Sequence, residues 1–179
     1  KEQAELYRIV YEAQESAAAQ MKPGNRFGDP NTASRKTVEE GLVKLGLITA
    51  VGAFIPGTER EIPDGNGGKR TVGTPQSFLW YMHGLGHWIG MNVHDVSVGA
   101  VIFKPGMMMS NEPGIYIRED ALDYFDMSKP EVKAFVEKIR PAFEKYKNIG
   151  VRIEDDIVVT ESGCEILTTS PKHLLELGA

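Results

Sequence analysis

The stretch Tyr81-Met-His-Gly-Leu-Gly-His-Trp-Ile-Gly-Met-Asn-Val-His94 carries three of the chain's four histidines, interleaved with Gly84, Gly86 and Gly90. His83 and His87 are four apart and would share one face of a helix. The helical zinc motif, however, requires Glu directly after the first His, and Gly84 stands there. Each of the three glycines would also cost a helix interior about 1 kcal/mol relative to alanine. Their G-x-G-x-x-x-G spacing misses the dinucleotide-binding pattern as well. On an extended chain, residues four apart again share a face. Glycine there lets a second backbone or a ligand come close. The stretch therefore reads as a strand or strand-turn lining a pocket.

Working outward, two carboxylates stand in similar surroundings. Glu112 sits in "MMMSNEPGIYI", an apolar strand pattern, directly before a Pro-Gly pair that reads as a turn. Glu154 sits in "VRIEDDIVVT", whose alternation predicts a strand returning through Glu161-Ser-Gly-Cys164 as a hairpin. Strand parity puts Arg152, Glu154 and Asp156 on one face, and Val151, Ile153 and Ile157 on the other. A carboxylate among apolar neighbours costs several kcal/mol unless it is paired or bound to a metal. A histidine with two glutamates is a donor set suited to Mn²⁺, Fe²⁺, Co²⁺ or Zn²⁺.

The rest of the chain supplies a frame. Leu6, Ile9, Val10, Ala13 and Ala17 predict a helix over 2–20, stopped by Lys22-Pro-Gly24. Thr37-x-x-Glu40 reads as a capping box opening a second helix, with Thr32 and Ser34 as earlier starts. Residues 56–75, rich in Gly and Pro, read as a loop. Residues 78–118 turn strand-like, with Val96, Val98, Val101 and Phe103 leading to a Lys-Pro-Gly turn. Ser128-x-x-Glu131 reads as the cap of a third helix with Val132, Phe135, Val136, Ile139 and Phe143 on its inner face. Two helices followed by strands broken by one helix predict an α+β domain with an antiparallel-rich sheet, spanning 1–179.

Composition excludes several classes. A net charge of −5 argues against nucleic acid as the partner. No apolar run approaches the roughly 20 residues needed to cross a bilayer. The single Cys164, read as a small turn residue, cannot form an internal disulfide, so a cytoplasmic setting is expected.

"HGLGHWIGMNVHD", "KPGMMMSNEPGIYI" and "GVRIEDDIVVTESGCEILT" occur in this order. Together they resemble the C-terminal part of the proline-specific metallopeptidases of the pita-bread fold, aminopeptidase P (Xaa-Pro aminopeptidase) and prolidase. The resemblance covers nearly the whole chain. It implies a pair of divalent ions, typically manganese, about 3.5–4 Å apart. It gives His87, Glu112 and Glu154 as metal ligands, with Glu112 also taking a proton from the attacking water and Glu154 bridging both ions. It gives His83 and His94 as substrate-holding histidines and Arg152 as the residue orienting the carboxylates.

The implied substrate is a peptide with proline in the second position, and the implied full-length protein is a homo-oligomer. Prolidase, and a non-catalytic pita-bread binding module, are the rival readings. The family's site has five protein ligands, two of them aspartates on an upstream hairpin. No Asp occurs here before Asp29, which lies in a Gly-Asp-Pro turn pattern. Lys1 opens directly into a helical pattern, so the chain reads as an incomplete fold. The expectation is weak or absent metal binding, and no peptidase activity, in this piece alone.

Overall fold

The computed structural model describes residues 1–96 and 101–172, so Val98 lies outside the described residues. They divide into two compact units. The first comprises residues 1–38, 84–115 and 151 onward, and the second residues 39–83 and 116–150. The chain passes between them within α2 (Gly28–Leu45), between His83 and Gly84, within β4 (Gly114–Ile117) and within β5 (Ile149–Arg152).

In the first unit, α1 (Glu2–Ala18) buries Leu6, Ile9, Val10, Ala13 and Ala17, the predicted stripe. β3 (Met108–Asn111), β6 (Asp155–Val159) and β7 (Cys164–Ile166) form an antiparallel sheet with β6 in the centre. Met109 of β3 and Ile157 and Val159 of β6 pack with Ala17, Met21, Leu85 and Phe103 into a buried apolar cluster. Phe27 and Trp88 flank it, their ring centroids 4.7 Å apart. Gln14 and Asn111 fasten helix to sheet reciprocally. Gln14 Nε2 donates to the Asn111 carbonyl at 3.1 Å, and Asn111 Nδ2 donates to the Gln14 carbonyl at 3.0 Å. Beyond the hairpin, Lys172 pairs with the buried Asp155, and the Tyr7 hydroxyl donates to the Lys172 carbonyl.

The second unit is organised by α3 (Pro130–Tyr146), which buries Val132, Phe135, Val136, Ile139, Phe143 and Tyr146 along one face. Trp80 stacks on Phe143 at 6.2 Å, and its Nε1 donates to the Leu47 carbonyl. Glu39 closes the turn after α2, accepting from Ser77 Oγ at 2.6 Å and from the Gly52 amide at 2.8 Å.

Four local expectations are corrected. First, α2 begins at Gly28, nine residues before the capping box expected at Thr37. Pro30, pre-set for a first turn, sits within that opening. Thr37 Oγ1 instead bonds Ser16 Oγ and the Ala33 carbonyl. Second, the loop at 56–75 contains a hairpin, β1 (Arg60–Pro63) against β2 (Lys69–Val72). Its glycines are concentrated in the turn, where Gly65 and Gly67 take φ of 82° and 87° and Asp64 Oδ1 accepts from the amides of Asn66 and Gly68.

Third, among the described residues of the run 78–118 the strands are β3 and β4, with a 3₁₀ turn at Gln76–Leu79 before them. Pro113-Gly114 does not turn the chain, because β4 starts at Gly114. Fourth, Ser128 does not cap α3; its hydroxyl goes to Asp126, and Lys129 precedes Pro130 without a side-chain cap.

Candidate metal centre

The histidine stretch acquires its shape by pairing with β3. The Ser110 and Glu112 amides donate to the carbonyls of His87 and Leu85 at 2.9 and 2.8 Å, and the Ile89 amide donates to the Met108 carbonyl at 3.2 Å. Residues 85–89 thus run as an irregular extended segment along the free edge of β3, with a bridge between Trp88 and Met109. A Cβ on Gly86 would lie 2.0 Å from the Ser110 carbonyl oxygen, so only glycine permits this approach. Asp95 closes the following turn, its amide bonding the Trp88 carbonyl and its carboxylate the Met91 amide.

On the other edge of β3, Ser110 pairs with Asp156 and Asn111 with Asp155. The next step of this register sets Glu112 opposite Glu154. There the regular ladder breaks, because Pro113 has no N–H to give; its carbonyl still accepts from Ile153 at 3.4 Å. Two carboxylates face one another at that break, an arrangement that is unfavourable without a cation or proton between them.

His87 completes a group in which one ligand atom from each of His87, Glu112 and Glu154 lies within 4.8 Å of the others. Its Nδ1 lies 3.0 Å from the Trp88 carbonyl, which can only accept, so Nδ1 carries the proton. Nε2 then presents its lone pair 3.3 Å from Glu112 Oε1. Two acceptors at that distance call for a cation or a proton, and an imidazole nitrogen with two carboxylates suits a divalent ion. The residues present therefore fit such an ion. Glu112 is buried, His87 partly so, and Glu154 is exposed, which leaves the group open to solvent on one side.

Both oxygens of Glu112 are held. Arg152 Nη1 lies 3.1 Å from Oε2, and Ser110 Oγ donates to Oε1 at 2.8 Å. The predicted parity of Arg152 and Glu154 thus brings both side chains to Glu112. His94, exposed, lies with its ring 4.3 Å from that of His87. His83 belongs to the second unit, where its Nε2 is 3.1 Å from the Tyr116 hydroxyl and its ring meets Tyr81 edge-on. Asp29 lies in the first turn of α2, its carboxylate accepting the Arg26 amide, a local structural role. Ser110 was missed in the sequence; its place two residues before Glu112 on one strand, hence on the same face, was the available signal.

Residues 1–161 match the metallopeptidase family M24. The Xaa-Pro aminopeptidase of Haemophilus influenzae is 36% identical over 181 residues, covering 98% of this chain and 34% of that protein. That of Escherichia coli K12 is 36% identical over 172 residues, covering 94% and 31%. Zinc-substituted aminopeptidase P of E. coli in complex with product superposes with a TM-score of 0.64 at 33% identity, over 94% of this chain and 31% of that one. A Pseudomonas aeruginosa aminopeptidase gives 0.60 at 32%, over 93% and 31%. The chain spans about a third of the length of these relatives. The helix order, the antiparallel pairing around Glu112 and the match along nine-tenths of the sequence have one common explanation: the chain belongs to metallopeptidase family M24, with the fold of aminopeptidase P.

Proposed function

We propose that this chain is the C-terminal part of the catalytic domain of a metal-dependent exopeptidase that hydrolyses Xaa-Pro bonds, of the aminopeptidase P type. The observation that carries the reading is the convergence of His87, Glu112 and Glu154 within 4.8 Å. It is supported by relatives that are Xaa-Pro aminopeptidases and by an aminopeptidase P structure holding the inhibitor Pro-Leu. The reading takes the cofactor as two divalent ions, manganese first and Zn²⁺, Co²⁺ or Fe²⁺ as alternatives. When bound, such ions lower the pKa of a shared water and polarise the scissile carbonyl.

The chain's own residues divide the remaining work. His87 offers Nε2 because Trp88 fixes its tautomer. Glu154 supplies the second carboxylate, at the ladder break. Glu112 is both ligand and proton acceptor, its carboxylate plane set by Arg152 and Ser110. The reading takes His94, exposed with its ring 4.3 Å from that of His87, and His83, whose Nε2 meets the Tyr116 hydroxyl, as the substrate-holding histidines. The substrate is a peptide with proline second. The reading further takes the whole protein as a cytoplasmic homo-oligomer, the compartment resting on the lone Cys164.

The test is hydrolysis of Xaa-Pro-Xaa tripeptides, against Xaa-Pro dipeptides, by the protein that carries this segment, supplied with Mn²⁺. Release of the residue before proline from tripeptides, lost in Glu112→Gln, supports the reading. Exclusive dipeptide cleavage would make it a prolidase, and no cleavage of either would overturn it.

A further inference from the structure

Ser110 is buried on β3, with 1% of its surface exposed, and its hydroxyl makes two bonds at once. It donates its one proton to Glu112 Oε1 at 2.8 Å and accepts the main-chain N–H of His87 at 3.0 Å. Those are the two buried or half-buried members of the His87–Glu112–Glu154 group, and they come from different segments. Glu112 follows β3, whereas His87 lies on the extended run along its edge. The backbone pairing sets the spacing of the segments, but it leaves the carboxylate free to rotate about its last bond. Arg152 restrains Oε2 from the solvent side and is itself exposed. Oε1, the oxygen that faces His87 Nε2, is restrained by Ser110.

The neighbouring glycine belongs to the same device. A Cβ at Gly86 would lie 2.9 Å from Ser110 Oγ and 2.0 Å from the Ser110 carbonyl oxygen. The close approach that reserves position 86 for glycine is what brings the His87 N–H within reach of the hydroxyl.

We propose that Ser110 is a positioning residue of the metal centre, locking the Glu112 carboxylate and the His87 backbone in the relative geometry that lets Oε1 and Nε2 serve one ion. The inference rests on the metal-centre reading above. An outer partner of a ligand is worth about 10–100-fold in metal affinity.

The test is titration of the full-length protein that carries this segment with Co²⁺, followed by calorimetry and by the visible ligand-field bands. Ser110→Ala is expected to weaken Co²⁺ binding about tenfold or more and to alter the bands, whereas Ser110→Thr, which keeps the hydroxyl, restores both. Wild-type affinity and bands in Ser110→Ala would overturn the proposal, as would a Ser110→Thr chain as impaired as the alanine one. Where Ser110→Ala does not fold, Ser110→Cys keeps the volume and weakens both bonds. The same loss is expected of it, and unchanged affinity overturns the proposal. A wild-type full-length protein that binds no Co²⁺ at millimolar concentration would overturn the metal-centre reading itself, and the proposal with it.

Discussion

At the scale of single residues, the centre depends on side chains that have no freedom to be something else. Gly86 is the sharpest case, because any Cβ there meets the Ser110 carbonyl oxygen at 2.0 Å. Gly86→Ala is expected to destabilise the chain by about 2 kcal/mol, the scale of overpacking, measured by urea unfolding. Cys164 illustrates the opposite. Burial pushes its thiol up, with the negative Glu15 adding to the effect, and Sγ donates to the Ala18 carbonyl at 3.3 Å. At pH 8 it should therefore react with a thiol reagent more slowly than an unfolded control, and equal rates would contradict the placement. The sequence reading of Cys164 as a turn residue missed that β7 begins there and faces α1.

At the scale of elements, amphipathic spacing was enough for α1 and α3, because one strong stripe decides what a helix buries. Ile139, fully buried on the inner face of α3, makes a direct check. Ile139→Ala should cost about 2–5 kcal/mol in chemical denaturation, the range for a buried aliphatic truncation. Spacing was not enough for the β1–β2 hairpin, where exposed strands of mixed charge bury little and the glycine-rich turn dominates composition.

The segment before α3 shows how local bonds act on charge. The Tyr124 hydroxyl, and after it Arg118, hold the Asp120 carboxyl below its ordinary range, and Ser128 does the same for Asp126. A depressed carboxyl stabilises the fold above its unfolded pKa, near 4, and the contribution is lost as pH falls through the folded value. Tyr124→Phe should thus move the Asp120 titration midpoint upward when followed by carboxyl carbon NMR. An unchanged midpoint would remove the hydroxyl as the cause.

At the scale of the whole molecule, the question is how much of a metal centre three ligands make. The chain spans about a third of its relatives' length, and His87, Glu112 and Glu154 are the group among its described residues that could hold an ion. Mn²⁺ is expected to bind this chain weakly by calorimetry, with at most one ion. Tight binding of two ions by the monomer would contradict that expectation. Whatever binds should also raise stability by linkage, about 2.7 kcal/mol at a hundredfold excess over Kd, and a chelator should reverse it.

The sequence by itself determined the apolar stripes of the helices, the alternation of "VRIEDDIVVT" and the parity that aims Arg152 and Glu154 the same way, because periods of 3.6 and 2 are local properties of the backbone. It also carried the three motifs by which the family is recognised. Only the tertiary structure decided that Glu112 stands opposite Glu154 where Pro113 interrupts the ladder. It alone laid the histidine stretch along β3 without making it a regular strand, and joined His87 to Glu112 through Ser110. Those are contacts between distant segments, set by register and close approach, and no periodicity within one segment encodes them.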